Sequence, residues 1–506
     1  MAIYDITSYG AQGDGLQDNT AAIAAAIEAC SAGGGGTVYV PAGDYVTGPI
    51  VLRSHITLQL EAGSMLRFTP RFDAYAPVQT RWSGYEMWGY SPLIYGNGLK
   101  QVAIKGEGVI EGQGQAWWDA YRVIRAGGTA PASEHLPKLV ELNRVLTDTV
   151  KSNIVEWQTQ FLRPPLLQLM HCEEVVLEGI TLQNSPFWNT HLVYCDDVSL
   201  RGVKFKNPST TPNGDGLDVD SCSNVRISDC HFDVGDDCLC LKSGIDADGR
   251  RVGRPTENVA VTNCTMLHGH GGVVLGSETA GGIRNVTISN CIFIGTDRGI
   301  RIKTNRARGG GVENVRISNI YMEDVLCPLA INAFYKHGID ESNPLLTSPE
   351  AVPVTEGTPV IRHIQISDVT AKNARAAAGF IYGLPEMPIE DVALRHVTFE
   401  MTLDPAEEGG EPDMVREERI MAGDGILCRH VQGLELHHVR VETRQGPALL
   451  LEDSREIEID GLRMKKRHAD TPVITMKNTD EVEVSGFREE KGQAPYLAKA
   501  DPAAAK

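Results

Sequence analysis

The chain has 506 residues, a formal net charge of -19, 42% hydrophobic and 22% charged residues, and 52 glycines. This is the composition of a globular protein rich in turns. The acidic balance speaks against nucleic acid and anionic membrane as partners, since both need a positive footprint. No run of about 18 apolar residues occurs, so no membrane-spanning helix is predicted.

The opening, MAIYDITSYG, lacks the basic and apolar stretches of a secretion signal. A cytoplasmic protein is expected, the alternative being a secreted or periplasmic one whose signal has been removed. Eleven scattered cysteines, an odd number, point to reduced thiols. DNTAAIAAAIEAC, residues 18–30, predicts an Ala-rich helix with an Asp/Asn/Thr start, placed to cap an exposed sheet end. Gly33–Gly36 is followed by a strand, TVYV, and by no lysine, so it reads as a connector and not as a phosphate loop. Residues 113–165, with WWDAYR and VLTDTVKSNIVEWQTQFL, predict a helical insertion too polar for core, lying outside and walling off one end of a groove.

From residue 175 one short pattern recurs: VVLEGITL at 175, VSLRGVKF at 198, VRISDCHF at 225, VAVTNCTM at 259, VTISNCIF at 286 and VRISNIYM at 315, with weaker copies at 364, 392, 434, 457 and 482. Each copy alternates apolar and polar residues, turns at Asn, Asp or Gly, and enters a second short strand. The uninterrupted spacing of about 23 to 34 residues is a solenoid period. Strands this short must pair with their equivalents one turn away. The expected fold is therefore all-β, a single-stranded right-handed parallel β-helix with coils about 4.8 Å apart. Residues 1–65 would form the N-terminal cap and first coils, 66–490 the β-helix domain carrying the insertion, and 491–506 a C-terminal tail. Loop insertions are expected near 323–363 and 400–433. Cys230, Cys264 and Cys291 share a repeat position with Ile180, Val203, Ile320, Val369, Val397, Val439 and Leu462, which makes them buried core thiols. Asn263, Asn290 and Asn319 align as a turn ladder.

PNGDGLDVDSC, Pro212–Cys222, is by its local signals a turn. Stacking changes its neighbours. Asp215, then Asp236 and Asp237 of VGDDCLCLKSG, His270 of GHGG, and Arg301 and Lys303 of RGIRIK occupy similar places on successive coils and are expected to converge on one groove. Taken singly, each motif is ordinary: a turn, a solvated pair, a surface strand. Their order, one per coil, is what joins them. Carboxylates held close together cannot all ionise freely, and glycosidic hydrolysis needs one protonated acid and one carboxylate that activates water. Arg301 and Lys303, alternating on a strand, would clamp a substrate carboxylate, which implies an anionic sugar. Asp218 and Asp220 read as structural.

The ordered set NGDG (213–216), GDD (235–237), GHG (269–271) and RIK (301–303), with SPFWNTH (185–191) and FLRPPLLQ (161–168), resembles glycoside hydrolase family 28, the polygalacturonases and rhamnogalacturonan hydrolases. YGAQGDGLQDNTAAIAAAIEAC and VYVPAGDY are similar to the N-terminal cap of the wider pectin-degrading β-helix group. The resemblance covers about residues 3–340. It implies inverting hydrolysis, with Asp236 as general acid, Asp215 and Asp237 as bases positioning the water, and His270 tuning the acid. Arg301 and Lys303 would bind the galacturonate carboxylate, with Asn213, Trp188, His191 and Tyr335 as further substrate residues. One departure is Gly214, where polygalacturonases usually carry the Thr of Asn-Thr-Asp-Gly. The activity expected is exo-acting release of galacturonate from pectin-derived oligosaccharides, with no cofactor or metal. Rhamnogalacturonan hydrolysis is the alternative. A pectate-lyase-type β-eliminase and a non-catalytic carbohydrate-binding β-helix are the rivals. A galacturonate-containing oligosaccharide is the expected partner.

Overall fold

Alternation with a period of two gives each short segment one apolar face, and only a neighbour of the same pattern can cover the backbone edge beside it. The computed structural model describes residues 2–150, 154–340, 342–417, 419–465, 469–487 and 493–499. They form coils of a right-handed parallel β-helix, as expected. The chain divides into two units, residues 1–244 with 254–265 and residues 245–253 with 266–506.

In the first unit each coil supplies three short strands. One coil runs Leu167–Met170, Glu173–Glu178 and Thr181–Gln183, the next Thr190–Val193, Asp196–Arg201 and Lys204–Lys206. The following coil runs Leu217–Asp220, Ser223–Ser228 and His231–Val234. Pairing is in register, so Val175, Val198, Val225 and Val259 form one buried column, and Leu177, Leu200, Ile227 and Val261 a second. Phe205 and Phe232 stack with centroids 4.7 Å apart. Turns end in Asn or Asp because these side chains tolerate the left-handed backbone that each corner requires. Asp229 and Asn263 both sit at φ 58°, and the Asn263 amide donates to Asp229 at 3.4 Å.

The helix Thr20–Ala32 starts where Asp18 accepts the Thr20 N–H at 3.0 Å, and it buries Ile23, Ala26, Ile27 and Cys30 against the first strands, Ile3–Asp5 and Gly36–Val40. The insertion contains helices Gln115–Arg125, Leu136–Thr149 and Val155–Thr159, its residues 151–153 lying outside the described residues. Contrary to the expectation of a polar insertion, Trp117, Trp118, Tyr121 and Ile124 are buried. Trp117 packs among Phe72, Tyr75, Tyr90 and Phe161 with centroids 4.5 to 5.8 Å away. The helix period puts residues 117, 121 and 124 on one face, and average polarity conceals that stripe.

In the second unit the later strands of a coil merge into Ile283–Ile294, Gly311–Glu323 and Val360–Ala374. Cys291 pairs with Ile320 and Ile320 with Val369, the rung the repeat implied. Asn319 donates to Asn290 at 2.8 Å. The expected insertions lie between strands Cys327–Asn332 and Val360–Ala374, and between Thr398–Met401 and Asp424–Arg429. Within the expected tail, Leu497–Lys499 pairs with Ile474–Lys477 and adds a strand, while 491–492 and 500–506 lie outside the described residues. Among the described residues no helix is long and apolar enough to cross a membrane.

All eleven cysteines are buried and unbridged. Native protein should therefore react negligibly with a thiol reagent over minutes, and protein unfolded in guanidinium without reductant should titrate eleven thiols. Fewer than that number would reveal disulfides, which stacked neighbours are near enough to form, and would contradict the free-thiol reading.

Candidate active site

The strands Thr190–Val193, Leu217–Asp220 and Asp237–Lys242 send Leu192, Leu217, Val219, Leu239 and Leu241 into the core. Alternation turns the residues between them to the opposite face. Register then stacks Gln168, His191, Asp218 and Cys240 in one rung and pairs Asp220 with Lys242 in the next. This polar face is buried, covered in part by an antiparallel hairpin, Pro77–Trp82 with Tyr85–Tyr90, that carries Arg81.

Asp215 precedes the strand Leu217–Asp220, at the end of the PNGDG turn. Arg163 holds this turn, donating to Pro212 O at 2.7 Å and to Asn213 Oδ1 at 2.9 Å, while Glu156 neutralises the guanidinium at 2.5 Å. A Cβ on Gly214 would stand 2.7 Å from the Thr211 side chain, so this version of the turn has no room for the Thr usual in polygalacturonases. Asp215 and Asp237 are 3% and 1% exposed. Their carboxylates and the Cys240 thiol lie within 4.8 Å of one another, the one His/Cys/Asp/Glu group among the described residues compact enough to hold an ion. Asp236 is more open, half-buried, and accepts the Asp237 N–H at 3.0 Å. Burial pushes the Asp215 carboxyl well above the usual aspartate range, and the charges of Asp218, Asp236 and Asp237 push the same way against Lys242. A group of carboxylates in which one favours its proton can both give and take protons.

Behind this group two further aspartates meet two cations. Arg81 pairs with Asp220 at 2.8 Å, both side chains fully buried, and also donates to Ser221 Oγ. Burial alone would raise Asp220, but Arg81 and the hydrogen bonds from His191 and Ser221 hold its carboxyl below the usual range. Thr80 donates to Gln168 Oε1 at 2.7 Å, which orients the Gln168 amide to donate to His191 Nδ1 at 3.0 Å. His191 Nε2 therefore carries the proton and faces Asp220 at 3.4 Å. Burial keeps His191 neutral, its proton affinity lowered despite Asp220. The Lys242 ammonium lies 3.5 Å from Asp218 and 4.5 Å over the Trp188 ring.

Two implied substrate residues are enclosed by these contacts. His191 is fully buried with both ring nitrogens engaged, and Trp188 is 5% exposed, enclosed by Phe187, His191 and Lys242. Their rings pack within the chain and hold Asp220 and Lys242 in place. Asp218 and Asp220, read as structural, belong to this charge network. Asn213 keeps partial exposure but spends its side-chain oxygen on Arg163.

The second unit holds the other candidates. Arg301, on the strand Arg298–Lys303, is 1% exposed and donates through Nε and Nη2 to Asp413 Oδ1 at 3.0 and 2.5 Å. Thus Arg301, expected to wait for a substrate carboxylate, already has one from its own chain. Burial would raise Asp413, but Arg301 and Arg298 hold it below the usual range. Tyr335 brings its ring within 5.5 Å of Arg301 and 5.3 Å of Lys303. His270 is partly exposed, with Nε2 4.0 Å from Asp297. Sequence reasoning passed over Arg81, Lys242 and Asp413. Lys242 alone carried a signal, the strand register that sets it beside Asp220.

A parallel β-helix that presents a buried carboxylate group beside a more open aspartate has the groups that a glycoside hydrolase of the acid–base class requires. The glycosyl hydrolases family 28 model matches residues 151–402, and that of rhamnogalacturonase A/epimerase, pectate lyase-like, matches residues 3–126. A probable polygalacturonase of Vitis vinifera is 31% identical, covering 78% of this chain and 74% of its own. An exo-poly-alpha-D-galacturonosidase of Dickeya chrysanthemi is 26% identical over 73% of this chain and 63% of its own. The crystal structure of a hyperthermoactive exopolygalacturonase from Thermotoga maritima matches with a TM-score of 0.68 at 32% identity, covering 79% of this chain and 87% of that one. The chain belongs to glycoside hydrolase family 28.

The raised Asp215 makes a stability prediction. A carboxyl whose proton affinity rises on folding contributes fully below its unfolded value of 3.8, and that contribution is lost as pH rises towards the folded value. Asp215→Asn should therefore raise Tm at pH 7 by about 2–4 °C and change it little near pH 4. A lower Tm at pH 7, followed by circular dichroism, would show that burial of Asp215 is not strained.

Proposed function

We propose that the protein is an inverting, exo-acting hydrolase that releases galacturonate from the end of pectin-derived oligosaccharides. The observation that carries this reading is the contrast within the aspartate trio. Asp215 and Asp237 are buried within 4.8 Å of each other, whereas Asp236 is more open. Asp236 donates its proton to the leaving glycosidic oxygen as the bond from the anomeric carbon breaks. Asp215 and Asp237 hold a water on the opposite face, and their deprotonated member takes its proton as the new C–O bond forms. His270 tunes the acid, and Arg301, Lys303 and Tyr335 recognise the galacturonate carboxylate.

Exo action is supported by the Thermotoga and Dickeya relatives, whose names describe such enzymes, and by the helical insertion and the two long loops. The unbridged thiols favour a reducing compartment and short imported substrates. Cleavage next to galacturonate in rhamnogalacturonan fragments is the second reading, favoured by the match of residues 3–126.

Defined oligosaccharides of both polymers, digested and followed by chromatography and NMR, test this. Monomer should accumulate from the earliest times, with the β-anomer first. A random ladder of products would overturn exo action, and an α-anomer would overturn inversion. Asp236→Asn should lower kcat by about 10²–10⁴-fold, and undiminished turnover would remove Asp236 as the acid.

A further inference from the structure

Between the strands Thr398–Met401 and Asp424–Arg429 the chain leaves the coil, and Glu411–Val415 returns as a strap over the Arg298–Lys303 strand. Its main chain is fastened at several points. Arg298 donates to Glu411 O at 2.7 Å and to Pro412 O at 3.1 Å, and the Lys336 N–H donates to Met414 O at 3.1 Å. Tyr335 and Val415 form an antiparallel bridge, and Lys336 pairs with Glu411 at 3.2 Å. At the centre sits Asp413, fully buried. One of its oxygens takes both bonds from Arg301 and lies 3.8 Å from Arg298, and the other takes the Asn332 amide at 3.0 Å.

We propose that Asp413 is a positioning residue of the substrate site, which fixes the guanidinium of Arg301 and so determines affinity for a carboxylated sugar. This rests on the reading of Arg301 as a galacturonate-recognition residue. An arginine side chain has several rotatable bonds, and holding it in one geometry removes the entropy that substrate would otherwise have to remove. Arg298 lies 3.8 Å from the same carboxylate but also 3.6 Å from Asp297, so Arg301 is the guanidinium that Asp413 holds by hydrogen bonds. The strap also pins the backbone of Tyr335, whose ring flanks Arg301 and Lys303. A removable lid would not be fastened from both main chain and side chain in a fully buried position, so the arrangement is a permanent fixture.

Steady-state hydrolysis of trigalacturonate separates this role from general stabilisation. Wild-type turnover comes first, and its absence would sink the functional reading itself. Asp413→Asn should raise KM about tenfold while kcat stays within about threefold. In an Arg301→Met background Asp413→Asn should add nothing further, because it acts through that guanidinium. Glu411→Ala, which loosens the strap at the Lys336 pair, should leave KM within about twofold. An unchanged KM in Asp413→Asn, additive effects in the double variant, or an equal rise from Glu411→Ala would each overturn the proposal. If Asp413→Asn does not fold, Asn332→Ala decides. It keeps the carboxylate but frees one oxygen, and should raise KM by a smaller factor. No rise would likewise overturn the role of Asp413.

Discussion

Everything in this structure depends on in-register pairing between equivalent strands of successive coils. A four-residue strand such as Leu217–Asp220 has too little surface to stand alone, and it exists because Thr190–Val193 and Asp237–Lys242 bond to both of its edges. The same constraint fixes which residues meet. A shift of one residue would send Leu217 and Val219 outward and bury Asp218 and Asp220 in the core, so the apolar columns enforce the polar rung. Chemistry is positioned here by the requirement to bury leucines and valines.

That positioning creates an electrostatic difficulty, which the first unit meets locally. Desolvating an ion costs several kcal/mol even after relaxation, and Asp215, Asp218, Asp220 and Asp237 are all buried. Asp220 is matched by Arg81 and Asp218 by Lys242. Asp215 has the opposite balance, since burial and like charge both disfavour its ionised form. The compensated pair forms a fixed frame beside a carboxyl that favours its neutral form. The neutral His191, locked by Gln168 and facing Asp220, completes that frame without adding charge.

Legibility in the sequence follows the same division. The repeat strands, the core cysteines and the Asn turns were readable because each depends on local pattern and on a period of one coil. The aspartate trio was readable because that period turns sequence order into adjacency. Arg81 and Asp413 were not, since they lie 139 and 112 residues from their partners and themselves arrive from outside the repeat, on a hairpin and a loop. The aromatic face of Gln115–Arg125 was hidden for another reason, because overall polarity was weighed where helical spacing was needed. Trp188 and His191 were visible as residues, yet their role depended on whether their surfaces stayed open, and burial is a property of the folded chain.

On the proposed function, the Arg301–Asp413 pair bears on how a chain with a net charge of -19 would recognise an anionic sugar. Distant electrostatics repel such a substrate, so recognition has to be local and strong at short range. A buried guanidinium provides this only if its own desolvation is offset, and Asp413, itself held by Asn332, supplies that offset. Lysine would be a poorer choice at this position, because a flexible ammonium lacks the planar fork that binds Asp413 through two nitrogens. The cost of burying the cation is thereby met within the fold, before any substrate arrives. What substrate binding must then supply is reduced to its own desolvation and the closing of a few contacts, which suits short oligosaccharides with little area to bury.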